Sequence, residues 1–105
     1  MVTKKEYNGW TNYETWLMAL WIGNDQGFDE LVQEMAEQNR HEEIYTFAQE
    51  MKGFVEDLPE ISEVQEKGGF VSDLLGAAMS EIDWYEIAEH YHNDLEPEPE
   101  EEKEE

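Results

Sequence analysis

Glu86, His90 and Asp94 stand at i, i+4 and i+8 near the end of this 105-residue chain, a spacing that puts two carboxylates and an imidazole on one helical face within reach of a divalent cation. Glu89 and His92 lie beside them, but His90 and His92 are two apart and point about 200° away from each other on a helix, so H-Y-H is no chelate there. The trio reads as a solvated polar face. Carboxylate pairs at glycosidase-like separation carry no weight in a chain with 28 Asp and Glu. No nucleophile elbow, phosphate-binding loop, dinucleotide fingerprint or H-E-x-x-H occurs. Cys is absent, which removes thiolate chemistry and disulfides. An enzyme is not expected, and the residues call for no cofactor and no metal.

What the chain has in excess is negative charge. Its 28 acids face 6 Lys and Arg, with Arg40 the single arginine, for a net charge of −22. Residues 94–105 hold eight of the acids and one lysine, so residues 1–93 still carry −15. Such a surface repels phosphate backbones and anionic membranes, which need neutralising Lys and Arg, and it attracts basic proteins. Carboxylates at helical i, i+3 and i+4 positions have Cβ atoms roughly 5–6 Å apart. Double-stranded DNA carries one charge per ~1.7 Å of axis, a comparable scale. The candidates for such an array are Asp29, Glu30, Glu34 and Glu37, then Glu42, Glu43, Glu50, Glu56 and Asp57, then Glu60, Glu63 and Glu66, with Glu81, Glu86 and Glu89 nearer the C-terminus. Held rigidly, they imitate nucleic acid in the basic groove of a nucleic-acid-binding protein. The alternative is an interaction or structural accessory module whose acidity serves solubility and whose exposed aromatics form a homo-oligomeric or heteromeric interface.

The elements that must position these residues are helices. Asn8-Gly9 is a turn signal, and T-x-x-E at Thr11–Glu14 forms a capping box for a first helix closed by Gly23-Asn24, with Tyr13, Trp16, Leu17, Leu20 and Trp21 as its inward face. A second helix spans 26–39 with its N-cap region at Asp25–Gly27, and a third spans 41–57, with Pro59 just past its end. Residues 58–69 read as a polar connector with at most a short helical turn. Residues 70–79 form the most apolar helix and are expected at the centre of the core. A last helix follows D-x-x-E at Asp83–Glu86 and runs to Asn93, with Ile87, Ala88 and Tyr91 inward. Strict alternation over five or more residues is missing. The expectation is an all-α, compact bundle of about five short helices in one domain over 1–95. The Glu- and Pro-rich residues 96–105 form a disordered acidic tail.

Two segments, "GWTNYETWLMALWIGNDQG" and "LLGAAMSEIDWYEIAEHY", resemble a family of small uncharacterised acidic proteins of phages and plasmids with a W-x-N-Y-x-T-W signature, carried here by Trp10, Asn12, Tyr13, Thr15 and Trp16. The resemblance implies a mobile-element setting and no defined biochemical activity. Joined to the charge, it leads to the expectation of an inhibitor of a host defence protein, anti-CRISPR or anti-restriction, acting by nucleic-acid mimicry. The N-terminus has no apolar signal-peptide region, so the expected location is the cytoplasm, that of the host cell if the protein is phage-encoded.

Overall fold

Asn12, Asp25 and Asp83 each turn a side-chain oxygen onto the backbone amide three residues ahead, on Thr15, Phe28 and Glu86 at 2.9, 3.1 and 3.1 Å. Each thereby satisfies one of the amides that a helix start leaves unpaired. The helices are α1 (Tyr13–Asn24), α2 (Gln26–Gln38), α3 (Ile44–Glu56), α4 (Pro59–Lys67), α5 (Phe70–Ser80) and α6 (Trp84–Asn93). The computed structural model describes residues 7–97, and among them all regular structure is helical apart from an isolated bridge between Tyr7 and Trp10.

Phe47, Ala48, Met51 and Val55 line the buried side of α3, which packs most extensively on Ile87, Ala88 and Trp84 of α6 and also meets Val32, Met35 and Ala36 of α2. Helix α1 closes over α2 and α6 through Ile22 and Thr15, both fully buried. Helices α4 and α5 form an antiparallel hairpin that packs mainly on itself and reaches the core through Leu58, Ile61, Met79 and Ile82. Gly68 and Gly69 join them at φ 72° and 94° with ψ near 180°, a region essentially closed to other residues, so this two-residue link demands the Gly-Gly pair.

The all-α expectation holds, with six helices among the described residues rather than about five. The supposed connector is α4: Pro59 lies just past the end of α3, as expected, and also opens a helix of its own, at first positions where the missing N–H costs nothing. The cap of α1 is Asn12 rather than Thr11, and the Thr11–Glu14 capping box is not made. The inward face of α1 is the opposite of the expected one. Thr15, Met18, Ala19 and Ile22 turn in, whereas Tyr13, Leu20 and Trp21 are exposed and Trp16 and Leu17 half-buried. The rotation of α1 is fixed by the bond that Asn12 donates to the Glu81 carbonyl and the one that the Thr15 hydroxyl accepts from the Asp83 amide. Helix α5 is not central either: none of its residues is buried, and Phe70 is 76% exposed. The acidic tail falls outside the described residues from position 98 onward.

Candidate partner-binding surface

The polar residues between the aromatics of the opening segment fasten α1 to the start of α6. Asn8 and Gly9 both have positive φ, 53° and 96°, and Trp10 donates its amide to the Tyr7 carbonyl at 2.9 Å, forming a tight turn of the hairpin kind. That turn lays the Trp10 ring against His90, with centroids 5.3 Å apart. The Thr11 amide donates to Glu86 Oε1 at 3.1 Å, and Asn12 Nδ2 to the Glu81 carbonyl at 2.7 Å. The buried Thr15 Oγ1 accepts from the Asp83 amide at 2.8 Å. The W-x-N-Y-x-T-W residues and the "EIDWYE" turn, about 70 positions apart, are therefore two halves of one clamp. Glu86 and His90 serve in that clamp, and among the described residues no group of three His, Cys, Asp or Glu is placed to hold a metal ion.

Twelve of the fifteen candidate acids, those from Asp29 to Glu66, fall into distinct places. Glu30, Glu34 and Glu37 are exposed at i, i+4 and i+7, opposite the buried Val32, Met35 and Ala36, and so line the outward ridge of α2. Glu60, Glu63 and Glu66 are likewise exposed on α4. Glu42 and Glu43 lie in the loop before α3, while the half-buried Glu56 and exposed Asp57 close its other end. The body of α3 contributes only Glu50, because α2, α4 and α6 pack against this helix. Glu50 accepts from the buried Asn39 Nδ2 at 2.8 Å. Arg40 grips Glu37 with two hydrogen bonds, of 3.0 and 2.9 Å, and these hold the Glu37 carboxyl below its ordinary range.

Asp29 is a tie rather than an outward charge. It is half-buried, accepting from Gln33 Nε2 at 2.8 Å and from the Tyr91 hydroxyl at 2.7 Å. Burial, then this bond to Asp29, pushes the Tyr91 phenol well above its ordinary value. A phenol with a raised native pKa contributes stability that is whole below the unfolded value of about 10 and is lost as pH rises through the native one. Tyr91→Phe is expected to cost about 1 kcal/mol at pH 7 and to flatten the decline in stability above about pH 10. Urea melts at pH 7 and 10.5 check both; a variant that declines as steeply as the parent would detach the effect from Tyr91.

The structure adds an apolar surface that sequence reasoning placed inside. Leu20 and Trp21 on α1 and Phe70, Val71 and Leu74 on α5 are exposed, Trp21 by 66%. Beside Trp21 opens a groove of about 590 Å³ lined by Met18, Phe28, Leu31, Phe54 and Met79, with Asp25 and Glu60 also in its wall. Its floor includes the Phe28–Phe54 ring pair, 5.8 Å between centroids. A second hollow of about 700 Å³ between α1, α2 and α6 is walled by Trp10, His90 and Tyr91 with Asp29, Glu37 and Asp94. No helix among the described residues is long and apolar enough to cross a membrane.

No curated protein and no solved structure matches the chain. Both clamp segments, the two outward acidic ridges and the apolar groove fall within residues 3–104, which match a family of unknown function, DUF7249, and the chain belongs to that family.

Proposed function

We propose that this chain is a protein-binding domain that occupies the basic groove of a nucleic-acid-binding protein and stands there in the place of nucleic acid. The observation that supports this reading is the pair of outward ridges, Glu30, Glu34 and Glu37 on α2 and Glu60, Glu63 and Glu66 on α4, exposed on rigid helices. Within those two helices the only cation is Lys67, and Arg40 follows just beyond α2. Carboxylates 4.5–6 Å apart along an axis, as the helical rise of about 1.5 Å per residue gives for i+3 and i+4, lie within a factor of two of the rise of about 3.4 Å per phosphate along one DNA strand. The partner class is host defence machinery of the CRISPR or restriction type, met in the host cytoplasm. The reading includes no catalysis, no cofactor, no direct contact with nucleic acid and no membrane.

Competition against purified CRISPR effector and restriction complexes loaded with labelled DNA tests it. The expected result is displacement of DNA by a susceptible complex, with an affinity that falls at least ~10-fold between 50 and 200 mM salt. Glu30→Gln, Glu34→Gln and Glu37→Gln together should weaken displacement by about 10-fold while the circular dichroism spectrum stays helical. A ternary assembly of partner, DNA and this protein, with DNA affinity unchanged, would defeat the mimic reading. A second reading is favoured by the exposed apolar sides of α1 and α5: an interaction module, joined to a partner or to its own copy through those faces, whose acidity serves solubility.

A further inference from the structure

We infer that the groove beside Trp21 docks an amphipathic helix of a partner protein, one whose apolar stripe is flanked by Lys and Arg. Its walls come from helical rows: Met18 and Trp21 at i, i+3 on α1, Phe28 and Leu31 at i, i+3 on α2, and Met79 from α5. Rows of this kind form ridges, and the furrow between ridges accepts the i, i+3, i+4, i+7 ridge of another helix. Trp21, at the margin and largely in water, is the residue type that dominates binding energy once covered.

Charge selects the occupant. The walls include Asp25, at the N-cap of α2, and Glu60, in the first turn of α4, but no Lys or Arg. A second copy would bring its own acids, at −22 per chain, against these carboxylates across a seam losing its water, and like charges so placed cost several kcal/mol. An anionic lipid surface is repelled for the same reason. A helix with basic flanks covers the apolar walls and pairs with both acids. This inference uses a surface distinct from the α2 ridge, shares Glu60 with the α4 ridge, and does not depend on nucleic-acid mimicry.

The test is selection from a displayed library of helical peptides in which stripe and flanking charge vary independently, followed by titration of the selected peptides against variants of the full chain. The expected peptides carry apolar residues at i, i+3 or i+4 and i+7 and a net positive charge. Trp21→Ala should weaken them at least 10-fold, and Glu60→Gln by roughly 3-fold with a shallower salt dependence. Both positions are exposed, so the variants should keep the parent's melting curve, and that curve is recorded alongside. The Glu30, Glu34 and Glu37 triple variant should retain peptide binding, and Trp21→Ala should retain DNA displacement, which separates failure here from failure of the mimic reading. The inference is overturned by an absence of enrichment, by neutral or acidic winners, or by affinity indifferent to Trp21→Ala or to Glu60→Gln. Self-association that Trp21→Ala abolishes would overturn it too, by assigning the groove to a second copy.

Discussion

Truncating Phe47 to Ala should lower stability by about 3–5 kcal/mol, whereas truncating Trp16 to Ala, a larger deletion, should cost only about 1 kcal/mol. Phe47 is fully buried on the side of α3 that meets α2 and α6, so its loss opens a cavity among groups that cannot all collapse inward. Trp16 is half-buried and stacks at 5.5 Å on Tyr13, itself nearly half exposed, so its removal forfeits one aromatic contact and some covered area. Urea melts of both variants decide the matter. A Trp16 loss equal to that of Phe47 would return the aromatic side of α1 to the core. If Phe47→Ala does not fold, Ile87→Val probes the same fully buried cluster at an expected 0.5–1.5 kcal/mol.

The second large effect concerns a single hydroxyl. Thr15→Val keeps the shape of the side chain but removes the atom that accepts from the Asp83 amide, so a partly buried donor loses its partner on a fully buried side chain, at a cost of about 1–2 kcal/mol. Thr15→Ser, which keeps the hydroxyl and loses a methyl group, should be the milder of the two. Amide exchange gives a local readout: protection of Asp83 should fall in the valine variant and persist in the serine variant. Asn12→Ala removes a helix cap and the bond to the Glu81 carbonyl, at about 0.5–2 kcal/mol. Asn12 and Thr15 share one clamp, so their combined loss should depart from the sum of the single losses. A neutral Thr15→Val would show that water satisfies Asp83 and that the clamp is dispensable.

Local signals were legible where they were short and polar. Asp25 and Asp83 declare their helices because a carboxylate three residues before an unpaired amide has one favourable local use, and the Asn8-Gly9 turn is equally explicit. The cap of α1 was misread by one residue, since Thr11 and Asn12 both cap well and only the distant Glu81 carbonyl selects Asn12. The rotation of α1 was not legible at all. Apolar residues occur on more than one side of this helix, and a stripe of Trp and Leu looks inward until the hydrogen bonds of Thr15 turn the other side toward the core. For α5 the composition was clear and the neighbours were not, because hydrophobicity demands cover without stating whether the same chain supplies it. The acids were located by sequence, but their employment was not. Asp29 and Glu50 resemble Glu34 in type, and only packing shows that the first two hold Tyr91 and Asn39.

The clamp between α1 and α6 also orders events in time. The Thr11 amide and the Glu86 carboxylate are 75 residues apart in the chain, whereas α4 and α5 meet across a two-residue link. Closing a long loop costs more entropy, by about 0.6 kcal/mol for each doubling of its length, and that cost falls before the contacts that reward it exist. The α4–α5 hairpin, and α1 on α2, can therefore assemble while the chain is still being made, but the clamp, like the main packing face of α3, stays open until α6 has emerged. Through most of synthesis the Phe47 side of α3 lacks its principal cover, and the last helix written both completes the core and locks the first.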